Sequence, residues 1–148
     1  MNDFLVNGDA VWEMIPQKPP MVMIDKIITV STKKALTAFT IKKENIFCEE
    51  GLFQAAGLTE NMAQTAAAQV GYLSYQAGEK PPVGFIGAIK NLEIEHLPKV
   101  GTEIHTSIEI EHEIMGFTII NAVSKQGEVI LASCQMKIFI AEKEDEKN

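Results

Sequence analysis

Three features of the sequence predict an α+β fold in which one antiparallel sheet wraps around a single long central helix. The segment from about Ala55 to Gln76 has helical periodicity over its whole length and almost no charge. Two β-branched, apolar stretches precede it. Four more follow, separated by turn residues, so strands and helix are grouped rather than alternating.

Each element has its own justification. Asp9 is placed to cap a short turn, "AVWEMI", which Pro16 ends. Pro19 and Pro20 then force an extended path, because proline biases the residue before it away from the helical region. "MVMIDKIITVS" and "KALTAFTIKK" read as a hairpin of the first two strands. After the turn-rich "ENIFCEEGLFQ" comes the helix, whose Leu58, Met62, Ala66, Val70 and Leu73 recur at intervals of three and four residues. Its opposite face holds Ala55, Ala56, Ala63, Gln64, Ala67, Ala68, Gln69 and Tyr72, and a helix without a charged face is enclosed on most sides. Gly78 and Pro81 stop it.

"VGFIGAIKNLEIE" is a strand and "HLPKVG" a loop. In "TEIHTSIEIEHEI", Ile104, Thr106, Ile108, Ile110 and Ile114 occupy one phase, with Glu103, His105, Glu109, Glu111 and Glu113 on the other. "GFTIINAVSK", a turn at Gln126 and Gly127, and "EVILASCQMKIFIA" complete the meander. The domain is expected to span residues 1–141, with 142–148 as a disordered acidic tail. This is the hotdog arrangement. Its exposed sheet edge calls for pairing with a second copy, so a homodimer, or a higher oligomer of dimers, is expected.

Composition narrows the function. A chain of 148 residues supports one core, and 46% apolar with 22% charged residues is ordinary for a globular protein. No run approaches the ~20 apolar residues of a membrane span. "MNDFLVNGD" lacks a secretory signal, so a cytoplasmic location is expected. The formal charge of -7 opposes binding to nucleic acid. Cys48 and Cys134 read as reduced thiols, and neither a metal nor another cofactor is expected.

One carboxylate stands out. Glu60 lies in "GLTENMAQTAAAQ" among Ala, Leu, Met and Gln, one turn before Gln64 and so on the same face. It can be read as a helix-start acid, stabilised by the macrodipole by about 0.3 to 1 kcal/mol. Against that, no charged companion follows before Glu79. A carboxylate in a partly dry pocket can exchange protons near neutral pH, and free amides around Ala55 and Ala56 are suited to a carbonyl oxygen gaining charge. Together they would make a site for a thioester.

Several stretches resemble a known family. "MIPQKPPMVMIDKI" is similar to the I-P-H-R-x-P-x-L-L-V-D-R-V opening of FabZ-type 3-hydroxyacyl-[acyl-carrier-protein] dehydratases. "GLTENMAQTAAA" resembles their V-L-I-I-E-A-L-A-Q-A-A-G helix, and "FIGAIKNLEIEHLPKVGTEI" follows their F-L-A-G-I-D-x-A-R-F-R-R-P-V-x-P-G-D-x-L. The likeness runs over about residues 12–140. The resemblance implies that Glu60 matches the family's catalytic glutamate, Gln64 the glutamine after it, and the Ala55 amide its oxyanion-binding glycine. The family's loop histidine has no counterpart, because Leu52 stands where G-H-F would be read. Gln17 replaces the early histidine and can orient a substrate or loop but cannot exchange protons. His96, His105 and His112 all follow the helix and read as structural. "EGLFQAAGLTENMAQ" is nearer to the aryl-polyene-cluster (ApeP-like) subgroup, which keeps the glutamate and loses the histidine.

The resemblance implies a 3-hydroxyacyl thioester dehydratase of fatty-acid or polyene-type lipid synthesis. The chain would act alone through Glu60, or lend Glu60 to a composite site in a heterodimer with a histidine-containing dehydratase. A hotdog acyl thioesterase and a non-catalytic acyl-thioester binding subunit are the alternatives. The acyl chain would lie beside the helix between protomers, against Phe53, Met62, Phe85 and Ile89, residues that fit a core equally well. Its carrier is acyl carrier protein or coenzyme A, since "KNLEIEHLPK" alternates in sign where the family's carrier-docking face is basic.

Overall fold

The computed structural model describes residues 3–140, so the expected acidic tail lies outside the described residues. In chain order the elements are β1 (Val6–Asn7), a 3-10 helix (Gly8–Glu13), β2 (Lys26–Val30), β3 (Lys34–Thr40), β4 (Cys48–Glu49), β5 (Leu52–Phe53), α1 (Ala55–Gln76), β6 (Gly84–Ile94), β7 (Glu103–Ile114), β8 (Phe117–Gln126) and β9 (Val129–Ile140). Seven strands form one sheet in the order β1-β2-β3-β7-β8-β9-β6, and every neighbouring pair is antiparallel. The 22-residue α1, about 33 Å long, packs across this sheet.

Two apolar layers hold the helix. On the sheet side Leu58, Met62 and Ala66 meet Phe39, Ile104, Ile108, Ile120, Leu131 and Met136. On the far side Ala68 meets Val6, Val11, Met14, Ile15, Ile24 and Ile27 from the amino-terminal segment. Each fully buried Leu, Ile or Met contributes roughly 1.5–3 kcal/mol relative to exposure, and this burial, not charge pairing, stabilises α1. The helix ends as expected. Gly78 is left-handed at φ 70°, the Gly78 amide donates to the Tyr75 carbonyl and that of Glu79 to the Ser74 carbonyl, so these two carbonyls of the last turn are satisfied.

Several local expectations change. The first hairpin is shorter than expected, because Met21 and Met23 hydrogen-bond to Gln64 and Asn61 of α1 and β2 begins only at Lys26. Asp9 falls inside the 3-10 helix instead of capping it, and the preceding Asn7 makes no side-chain cap. The turn-rich passage contains a tight hairpin, β4 to β5, turned by Glu50 (φ 52°) and Gly51 (φ 80°). Two successive positive φ angles match the right-handed twist of the flanking strands. In β7 the register shifts between Ile110 and His112. One inserted residue reverses the facing of all that follow, so Ile114 pairs with Phe117 and is 52% exposed instead of sharing the buried phase of Ile104.

The edge strand β6 is the exception to the burial pattern. Among its eleven residues only Ala88 is half-buried and the rest are exposed on both faces. Phe85 is 57% exposed and Ile89 40%. An edge of this length, apolar and unpaired among the described residues, is the feature that a second chain would cover.

Candidate functional site

The helix begins at Ala55, so Glu60 stands in the second turn, and no acid occupies the first. The macrodipole effect fades within the first turn. A helix-start role therefore does not account for this carboxylate, which is half-buried.

Gln64, fully buried, holds it. Gln64 Oε1 accepts from the Met23 amide at 2.6 Å, while Gln64 Nε2 donates to the Met21 carbonyl at 2.7 Å and to Glu60 Oε2 at 2.9 Å. These partners fix the orientation of the amide, since its oxygen faces an N–H and its nitrogen faces two acceptors. Both of its N–H groups and one lone pair of its oxygen are engaged within the protein. Glu60 Oε1 takes no donor among the described residues and is not a buried atom.

The start of α1 is open. The Gln54 side chain turns back to the carbonyls of Glu49 (3.3 Å) and Leu52 (3.0 Å) and leaves the helix uncapped. The amides of Gly57 and Leu58 both donate to the Gln54 carbonyl, whereas those of Ala55 and Ala56 find no backbone acceptor among the described residues. Ala55 is half-buried and Ala56 exposed. Ala56, Glu60 and Gln64 follow at four-residue intervals along one face, about 6 Å apart along the axis.

Asn61 and its partners went unrecognised in the sequence. Asn61 is fully buried, donates from Nδ2 to the Met23 carbonyl at 2.8 Å, and accepts at Oδ1 from the Thr106 hydroxyl, which lies 3.0 Å from the Ser124 hydroxyl. Thr65 donates to the Asn61 carbonyl at 2.9 Å, and the Thr37 hydroxyl lies 2.8 Å from that of Thr65. This polar chain fixes the rotation of α1 against β3, β7 and β8. A signal existed: Thr106 occupies the buried phase of its strand, between Ile104 and Ile108.

The remaining candidates separate. Phe53 is fully buried, packs on Phe39 with ring centroids 5.8 Å apart, and runs directly beneath Gly57, where a Cβ would come within 2.5 Å of its ring. Met62 is equally enclosed. Both belong to the core as built. Phe85 and Ile89 lie on opposite sheet faces, because β6 shifts register between Ile86 and Ala88. Ile89 lies opposite the buried Met136 on the helix side, while Phe85 stacks at 6.0 Å with Phe139 on the outer side. Gln17 carries a buried Oε1 without a partner among the described residues and makes no hydrogen bond to Glu60 or Gln64.

No histidine joins Glu60. His105 lies on the outer sheet face, 3.5 Å from Glu103, His112 is outward and exposed beyond the β7 bulge, and His96 is exposed in the loop after β6. Among the described residues no group of His, Cys, Asp or Glu could hold a metal ion, and no helix is long and apolar enough to cross a membrane.

Beside the strap formed by residues 21–23, burial pushes the Asp25 carboxyl above its ordinary 3.8, opposed by the Thr40 amide donating to Oδ2 at 2.9 Å and by Lys26. A raised folded value means that the folded state holds this proton more tightly. Its contribution is therefore fully present below 3.8 and is lost as pH rises through the raised value. Asp25→Asn removes this titration, and its oxygen can still accept from Thr40. The stability of the parent relative to this variant is expected to fall as pH rises through that window, measured by urea unfolding at successive pH values.

The ApeP-like family, described as ApeP dehydratase, matches residues 10–147. The chain belongs to the ApeP-like dehydratase family. Among solved structures, this ApeP-like chain is similar to the dehydratase heterocomplex ApeI:P from Xenorhabdus doucetiae at TM-score 0.81, with 16% identity over 90% of this chain and 91% of that one. An uncharacterized protein from Pyrococcus horikoshii aligns at TM-score 0.70, with 13% identity over 94% and 97%. A hypothetical thioesterase with coenzyme A from Streptococcus pneumoniae aligns at TM-score 0.65, with 10% identity over 79% and 85%. These likenesses establish the hotdog fold for the ApeP-like chain. No curated protein sequence matches it.

Proposed function

We propose that this protein is a dehydratase subunit for 3-hydroxyacyl thioesters that contributes Glu60 to a site completed by a histidine-bearing hotdog partner. The observation that carries the reading is a carboxylate held by a buried glutamine near two open helix amides, with no histidine beside it.

Dehydration requires a base to take the α-proton and an acid to protonate the departing β-hydroxyl. Glu60 serves the second step: its proton goes to the hydroxyl oxygen, the C–O bond breaks with its electron pair, and water leaves. Loss of the α-proton supplies the electrons of the new C=C bond. Negative charge gathering on the thioester oxygen meanwhile is met by the Ala55 and Ala56 amides. The base is the group this chain lacks, and the exposed β6 edge offers a place for a partner to bring it. The Xenorhabdus protein is a dehydratase heterocomplex, which supports the two-chain arrangement.

The test is co-expression with a histidine-bearing hotdog dehydratase encoded by the same organism, followed by hydration of an enoyl thioester and, in parallel, release of free thiol. Hydration appearing only in the mixture is the expected result. Hydration by this chain alone overturns the composite site, and thiol release without hydration makes the protein a thioesterase.

A further inference from the structure

Gln64 belongs to the helix motif as a residue that could touch substrate, but it is fully buried and both of its N–H groups are already engaged. Its oxygen is taken by the Met23 amide, and its two N–H groups by the Met21 carbonyl and Glu60 Oε2. It is fully enclosed, while Glu60 beside it is only half-buried. We infer that Gln64 is a positioning residue, which ties Glu60 Oε2 to the strap of residues 21–23 and thereby leaves Oε1 as the oxygen that carries the transferred proton.

The tie is rigid because both of its ends are anchored. Residues 21–23 are held by Gln64 through Met21 and Met23, and again by Asn61 through the Met23 carbonyl. Asn61 is in turn fastened to Thr106 on β7. The Glu60 carboxylate is therefore referenced to the central sheet through buried hydrogen bonds, not left to the rotamers of a long side chain. A carboxylic acid whose Oε2 accepts a fixed N–H has its proton on the other oxygen. That oxygen is the one without a protein donor. Holding an acid in one orientation is worth much in catalysis, since a displacement of about 1 Å can cost on the order of 100-fold in rate.

This inference rests on the proposed acid role of Glu60 for its kinetic part only, so the experiment has two arms. In the first, the side-chain amide of Gln64 is observed by proton–nitrogen NMR in the isolated protein, with and without Glu60→Ala. One of its two protons is expected to shift and to exchange faster, while the proton bonded to Met21 stays protected. If neither responds, the tie does not exist and the inference fails, whatever the activity. In the second arm, Gln64→Met and Gln64→Ala are assayed in the mixture with the partner. The expected loss is about 100-fold in kcat with KM within about twofold. A raised KM with unchanged kcat makes Gln64 a substrate ligand and overturns the inference. An inactive parent mixture overturns the proposed function, and the NMR arm then decides the positioning claim alone.

Discussion

Glu60→Gln is expected to reduce dehydration and enoyl hydration by about 10²- to 10⁴-fold, the usual worth of a positioned general acid. The substitution is close to isosteric. A side-chain oxygen at this position can still accept from Gln64 Nε2, as Oε2 does at 2.9 Å, so the tie to residues 21–23 survives while the transferable proton is lost. The loss should therefore appear in kcat without a matching loss of stability, and the urea midpoint should stay near that of the parent. A variant that hydrates enoyl thioester as fast as the parent, in the mixture with its partner, would show that the site assignment is wrong.

Gly71→Ala should have the largest effect on folding. In an exposed helix this exchange would stabilise by about 1 kcal/mol, because alanine is the better helix former. Here a Cβ at position 71 would sit 1.7 Å from the Met14 carbonyl oxygen and 2.7 Å from the Met14 carbonyl carbon. Both atoms are backbone, so no rotamer change relieves the clash. The amino-terminal segment must move off α1, opening the layer in which Val11, Met14 and Ile15 pack with Ala68. Overpacking of this kind costs about 3 kcal/mol or more, which outweighs the propensity gain. For a domain of this size that corresponds to a fall of roughly 10 °C in Tm. An unchanged or raised Tm would mean that the backbone at Met14 does not pack on the back of α1.

The helix and the strand grouping were legible because they depend on local periodicity. The span from Ala55 to Gln76 and its stop at Gly78 follow from spacing, from the absence of charge and from a residue that tolerates positive φ. Glu60 and Gln64 were legible as a pair for the same reason, being one turn apart. The kinship was legible too, in motifs kept in the same order along the chain. The facing of Ile114 and the separation of Phe85 from Ile89 were not legible. Each depends on a single inserted residue in a strand, and the sequence carries no local mark for a bulge that exists only against a partner strand.

The sequence by itself determined the fold class, the central uncharged helix, the carboxylate on it and the family, since composition, periodicity and motif order are properties of a single chain read in line. The tertiary structure alone decided what that carboxylate faces. Residues 21–23 are about forty positions from Gln64 in the chain, yet they engage its oxygen and one of its two N–H groups, and Asn61 reaches Thr106, 45 residues away. Contacts of that separation arise only when strands are paired and a helix is seated on them. A buried amide must find its partners wherever folding brings them.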